Sequence, residues 1–339
     1  MNKRIIRSND EGGPTGPASF NTVLYTGNGG TLPVADVGFE PDFVWIKSRN
    51  DVGSHIITDS VRGNGKEIYP DLTNAEGTVN RISLTDTGFD VNSVSYPNKI
   101  GDTYVAWCWK AGGAAVTNTD GTITSQVSAN TEAGFSIVTW TGLGDNGQTV
   151  GHGLGTPPQL IITKCRNLSG ENWYTYSEEI GNTKFLALNL TSAARTATEA
   201  GYSAGSNFWN DTSPTSSVFS LGNIAEIKSN NHVAYCFAEV AGFSKFGSYT
   251  GTGVNGNFIS TGFEPAFLMV KRTNAADNWV IVDNKRGTSN SLFPDDSSQE
   301  LSNSGAATFS STGFTVNGAS GGWNNSSSTY IYMAFANQF

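Results

Sequence analysis

The chain has 339 residues, of which only 14% are charged, and a formal net charge of −9 with a pI near 4.8. An acidic balance without any basic run argues against nucleic-acid binding. No apolar stretch approaches the roughly 18 residues that a membrane-spanning helix requires. Forty glycines, 11% aromatic residues and abundant Ser, Thr and Asn favour short strands and turns over helices. The length favours two or three domains.

Residues 1–18 carry basic side chains but no apolar core segment, so they are not read as a signal peptide. They are too polar to pack alone and are expected to form an N-terminal arm held by an assembly contact. A first β unit is predicted over 19–113. It opens at Tyr25-Thr26-Gly27, continues through GFEPDFVWIKSRN at 38–50, HIITDS at 55–60 and TGFDVN at 87–92, and closes on TYVAWCWKA at 103–111. The apolar run Phe43-Val44-Trp45-Ile46 predicts a central strand covered on both faces. In the closing strand, Tyr104, Ala106 and Cys108 share one face while Val105, Trp107 and Trp109 share the other.

Residues 114–134 have the composition of a linker. Asp120-Gly121 is a turn signal, however, and Ile123, Val127 and Ala129 then fall on one face, so an ordered connecting strand is predicted. A second unit is expected over 135–242 and a third over 243–339, abutting at Gly242-Phe243. Aligning Lys47, Lys164 and Lys271 brings Gly38, Gly155 and Gly262 into register, and likewise Pro41, Pro158 and Pro265, and Asn50, Asn167 and Asn274. The period of roughly 110 residues is the size of one small domain. The fold class expected is all-β: three tandem antiparallel β-sandwich repeats, jelly-roll-like, behind a short N-terminal arm.

Catalytic chemistry finds little support. His55 stands where the other units carry Trp173 and Trp279, and His232 where they carry Tyr104 and Tyr330, so both read as packing slots. His152 lies in a Gly-rich loop with no nominated Ser or Asp partner. No spacing supports a metal site or a cofactor, and GTGVNG at 251–256 precedes a strand rather than a helix. Asp59-x-x-Arg62-Gly63 recurs as Asp283-x-x-Arg286-Gly287. An acid beside an arginine is one reading; a structural bridge across a tight turn is the preferred one, because the middle unit keeps Gly181 and loses both charges. Three cysteines without C-x-x-C spacing do not predict a disulfide framework; Cys108 and Cys236 share a small buried slot, and Cys165 is expected at an exposed site. Three loop aromatics, Tyr96, Trp209 and Trp323, are candidate surface or glycan contacts, weighed against aromatics folded back over the sandwich edge.

The segments LYTGNG, VGFEPDFVWIKSRN, DSVRG, TYVAWCWKAGG, NTDGTITSQVSAN and GFSIVTWTG carry a resemblance. The chain resembles repeat-bearing, tail-fibre-like virion structural proteins of tailed bacteriophages from marine and freshwater bacteria, including cyanophages. The resemblance runs from about Ser19 to Phe339 and brings no catalytic motif with it. It implies a virion location, assembly in the host cytoplasm and release by lysis, with other virion proteins as partners through the arm. A homo-oligomer is expected, a trimer before other states, with a host-surface glycan as a further candidate partner. A tail fibre or adhesion protein is the first reading, and a head decoration or capsid fibre protein the second. A secreted bacterial lectin or adhesin and a polysaccharide-cleaving tailspike follow; the tailspike would need paired carboxylates in a groove.

Overall fold

The computed structural model describes residues 18–224, 229–302, 305, 307–318 and 321–337. The expected arm, 1–18, lies outside the described residues except for its last position. The described chain is all-β, built from antiparallel sheets with one short helix at Gly321–Asn324 and one 3-10 turn at Glu178–Ile180.

The same sheet is built three times. In the first, the order is Phe20–Thr26, Thr103–Trp109, Phe43–Ser48, Ile56–Asp59. In the third it is Ser244–Thr250, Thr329–Phe335, Phe267–Arg272, Trp279–Asp283. The middle sheet repeats it with Phe135–Thr141, Asn231–Phe237, Leu160–Cys165 and Trp173–Ser177, and extends at both edges. One extension is the segment with linker composition: Ser125–Asn130 pairs with Phe135–Thr141 and Val116–Asn118 with Ser125–Asn130, and Ile123 and Val127 are buried. A smaller sheet covers one face of each: Thr31–Val34, Gly88–Asn92 and Ile82–Thr85 in the first, Gln148–Gly151 with Val218–Leu221 in the middle, and Asn257–Ser260, Gly313–Val316 and Ala307–Ser310 in the third.

The thirteen-residue motif explains itself in this setting. Its strand is flanked on both sides, so Phe43–Ser48 and Leu160–Cys165 are buried throughout. Gly38, Gly155 and Gly262 sit at φ of 85°, 72° and 84°, a left-handed conformation that other residues adopt only with strain. Asn50, Asn167 and Asn274 each accept, through Oδ1, the first N–H of the closing strand, from Thr103, Asn231 and Thr329. What repeats is what the backbone needs.

The closing strand has two buried faces with different destinations. Tyr104, Ala106 and Cys108 pack against the first unit's small sheet. Val105, Trp107 and Trp109 belong to a cluster that also contains Phe135, Tyr235 and Phe237 of the middle unit and Phe267, Met333 and Phe335 of the third. The inner faces of all three sheets therefore meet in one core. Phe20, Phe43, Phe237, Phe267 and Phe335 all lie within 6.4 Å of the Trp109 ring or closer, centroid to centroid.

Candidate functional site

The seams between units are where polar chemistry is buried. Three equivalent positions, His55, Trp173 and Trp279, each send a ring nitrogen across a seam. Trp173 Nε1 donates to the Tyr69 carbonyl of the first unit at 2.9 Å, and Trp279 Nε1 to the Ala187 carbonyl of the middle unit at 2.9 Å. His55 Nδ1 accepts from Trp45 Nε1 at 2.9 Å, which leaves Nε2 as the donor to the Phe293 carbonyl of the third unit at 2.9 Å. The cycle first to third, third to middle, middle to first is closed. Burial, and then the Lys47 charge, pushes the His55 pKa well below its ordinary value, so the ring is neutral.

The same cycle recurs in the backbone, where Glu76, Ala194 and Glu300 N–H groups donate to the Arg166, Thr273 and Arg49 carbonyls. Lys47, Lys164 and Lys271 are fully buried beside it. Lys164 Nζ donates to the Thr73 and Glu171 carbonyls, and Lys271 Nζ to those of Thr191 and Asp277. Burial pushes all three ammonium groups down to about 8. Asp71 and Asp295 accept the backbone N–H of His55 and Trp279, as Asn189 does for Trp173. Burial pushes Asp71 up, and Asp295 up to about 7. The middle unit thus carries as Asn the neutral group toward which the two acids are driven.

Asp59, Arg62, Asp283 and Arg286 are turn bridges, with Gly63 and Gly287 at positive φ, but they are not surface bridges. Arg62 Nε meets Asp59 Oδ2 at 2.5 Å and Arg286 Nε meets Asp283 Oδ2 at 2.6 Å, with no exposed side-chain surface in either pair. Each carboxylate also accepts from a neighbouring unit: Asp59 from the Tyr235 hydroxyl at 2.7 Å and Asp283 from the Trp107 indole at 3.0 Å. Each arginine continues outward. Arg62 reaches Glu76, which Arg166 of the middle unit clamps with two bonds; Arg286 reaches Glu300, which Arg49 of the first unit clamps likewise. Burial works against the Arg62 charge, but Asp59 and Glu76 more than offset it, so its pKa is raised.

The middle-to-third seam has none of this. At the positions of Asp, Tyr/Trp, Arg, Glu and Arg stand Ser177, Met333, Ile180, Ala194 and Thr273. Where the bridge is missing, a cleft of about 630 Å³ opens between the units, lined in part by Ile180, Ala194 and Thr273.

The loop aromatics turn inward. Trp209 is 2% exposed and donates Nε1 to the Lys184 carbonyl. Trp323 is 8% exposed, with its carbonyl accepting from Tyr249. Tyr96 is half-buried, its hydroxyl on the Ser54 carbonyl and its ring edge-on to Tyr104. None of the three stands free as a surface platform. His152 and His232 are buried, the former bonded to the Thr215 carbonyl, the latter stacked on Trp140. Cys165 corrects the expectation of exposure: it is 5% exposed, with its sulfur against the turn that follows the strand, 3.8 Å from Asn167 Oδ1. Among the described residues, no group of three or more His, Cys, Asp or Glu side chains could hold a metal ion.

Neighbouring seams that share one geometry, within one chain, define an all-β protein of repeated sheets locked face to face. The family described as "Domain of unknown function (DUF7483)" matches residues 16–338, and the chain belongs to it. That match takes in all three sheets. No curated protein and no solved structure matches the chain.

Proposed function

We propose that the chain is a non-enzymatic structural protein of a tailed-phage virion, a tail fibre or adhesion protein docked through the arm at 1–18. The observation that carries this reading is the closed cycle of cross-seam bonds. The repeated lysine of the motif is buried in each unit, its repeated asparagine caps the closing strand, and the ring nitrogens of His55, Trp173 and Trp279 are each committed to a neighbouring unit. Such a body resists proteolysis and local opening, which an extracellular particle requires. The resemblance to virion proteins supplies the class. Each unit is read as jelly-roll-like because its closing strand returns from far along the chain to lie between the opening and central strands.

A homotrimer is part of the proposal, and light scattering of the purified chain tests it. Location is tested by quantifying the protein in purified virions and finding it in a reconstruction of the particle. A few tens of copies or fewer support the tail; hundreds move the assignment to the second reading, a head decoration or capsid fibre protein. Absence from the particle overturns both and returns the secreted lectin or adhesin.

A further inference from the structure

The three seams are equivalent by position, and two are filled from within by a Glu held between two arginines. The third has lost all of those side chains together, and the lost volume is an open cleft of about 630 Å³. That volume lies within the range of roughly 300–1,000 Å³ typical of small-molecule sites. We infer that this cleft, between the middle and third units, is a binding site for a neutral saccharide.

The lining chooses the class. The apolar part comes from Ile180 and Ala194, which replace the arginine and glutamate of the other seams. The wall is hydroxyl and carboxamide: Ser248, Thr250 and Thr329, with Asn274 beside them, all exposed. Asn274 spends its Oδ1 on the Thr329 N–H, which leaves both Nδ2 protons for a ligand oxygen. Glu179 holds the Ser248 hydroxyl with Oε2, and its second oxygen remains an acceptor. Lys184 occupies the place of Lys66, whose ammonium faces Glu76 in the first seam; Ala194 removes that partner here. One carboxylate and one ammonium at the rim give no net charge to attract an ion. A buried or half-buried ionic ligand would lack compensation from the floor. A ring with hydroxyl groups on its edge and C–H groups on its faces meets both surfaces: donors and acceptors along the wall, and carbon below.

The cleft does not depend on the virion assignment, since binding is measured on the isolated chain and a cellular origin would leave it unchanged. The experiment is saturation-transfer NMR of the full chain with methyl glycosides of glucose, galactose, mannose and N-acetylglucosamine, each at millimolar concentration, and with arginine amide and glutamate as ionic probes. The expected result is transfer to at least one glycoside and none to the ionic probes. The double variant Ala194→Glu with Thr273→Arg installs the glutamate and one of the two arginines that fill the other two seams and is expected to weaken binding at least about tenfold, a change of about 1.4 kcal/mol. Should that variant fail to fold, Ser248→Arg places a side chain into the same cleft from an exposed strand position and is expected to do the same. No transfer to any glycoside, transfer to an ionic probe instead, or binding unchanged in a folded blocking variant overturns the inference.

Discussion

The Tyr235 hydroxyl of the middle unit donates a 2.7 Å hydrogen bond to Asp59 of the first unit, a carboxylate already held by Arg62 and wholly shut off from solvent. Trp107 of the first unit does the same for Asp283 of the third, and the Arg286 guanidinium lies 5.4 Å from the centre of the Trp107 ring. Two seams of one chain therefore use the same buried acid, the same arginine three residues on, and an aromatic donor from the same strand position.

Tyr235→Phe is expected to lower stability by roughly 1.5–3 kcal/mol, because it removes a hydrogen bond to a buried charge while keeping the ring. Asp59→Ala is expected to cost more, about 3–5 kcal/mol, since it leaves Arg62 charged and partly uncompensated in the core. Urea unfolding midpoints, with the slopes compared, check both. A Tyr235→Phe variant as stable as the parent would mean that the cross-seam bond contributes nothing.

Replacing the whole set is expected to be milder than breaking it. Asp59→Ser, Tyr235→Met, Arg62→Ile, Glu76→Ala and Arg166→Thr together copy the middle-to-third seam into the first-to-middle seam. Every desolvated charge then leaves at once, so the combined loss should be smaller than the sum of the single losses, with coupling of several kcal/mol. Additive losses would show that the network does not act as a unit.

Stability should rise with pH in the alkaline range. Lys47, Lys164 and Lys271 ordinarily titrate at 10.5 and in the fold at about 8. Between those values the unfolded chain binds more protons, so the penalty for burying each ammonium, complete below pH 8, is relieved as pH climbs toward 10. Above pH 10 the buried Tyr25, Tyr235 and Tyr249, whose pKa values burial raises, resist ionisation and reverse the trend. Thermal melts from pH 7 to 11 should show a maximum near pH 9–10; a monotonic fall from pH 7 would contradict it.

Asp295→Asn isolates the acid side. The carboxyl ordinarily titrates at 3.8 and here at about 7, so the fold holds its proton longer than the unfolded chain does. Wild-type stability contributed by this group is present below pH 4 and is lost as pH rises to 7. Asparagine, which the middle unit already carries as Asn189, escapes that loss. The variant should gain on the parent by about 1–2 kcal/mol between pH 4 and pH 8, measured as the difference between two denaturation series.

All three thiols should be silent in the native protein. Cys108, Cys165 and Cys236 are buried, and burial pushes each thiol above its ordinary value. Thiolate is the reactive form. Maleimide is expected to label none of them before denaturation and all of them after; native labelling at Cys165 would place that strand end in solvent.

Much of the fold was legible as pattern. Four apolar residues in succession at Phe43–Ile46 required a strand covered on both sides, and the alternation at 104–109 required a strand with two apolar faces. The Gly after each Asp–Arg bridge marked a tight turn, and the exchange of His55 for Trp in the other units marked a packing slot. These are local properties, because side-chain period and turn geometry are written within a few residues. The same reading left Cys165 outside and weighed Trp209 and Trp323 as surface contacts against aromatics folded back over the sandwich edge, since period and loop position do not reveal what lies on top of a residue.

What covers each inner face was decided by tertiary structure alone. A buried face at Trp107 and Trp109 is a demand for apolar partners, and nothing local says whether a second sheet or a second unit meets it. Here the other units meet it, which joins Tyr235 to Asp59 and Trp107 to Asp283 over 176 positions of chain. The correlated loss of Asp, Arg, Glu, Arg and the aromatic donor in one seam was present in the sequence from the start. It reads as drift of a divergent repeat until the three sheets are brought together, because only their contact shows that the five positions touch and that their joint loss leaves a space.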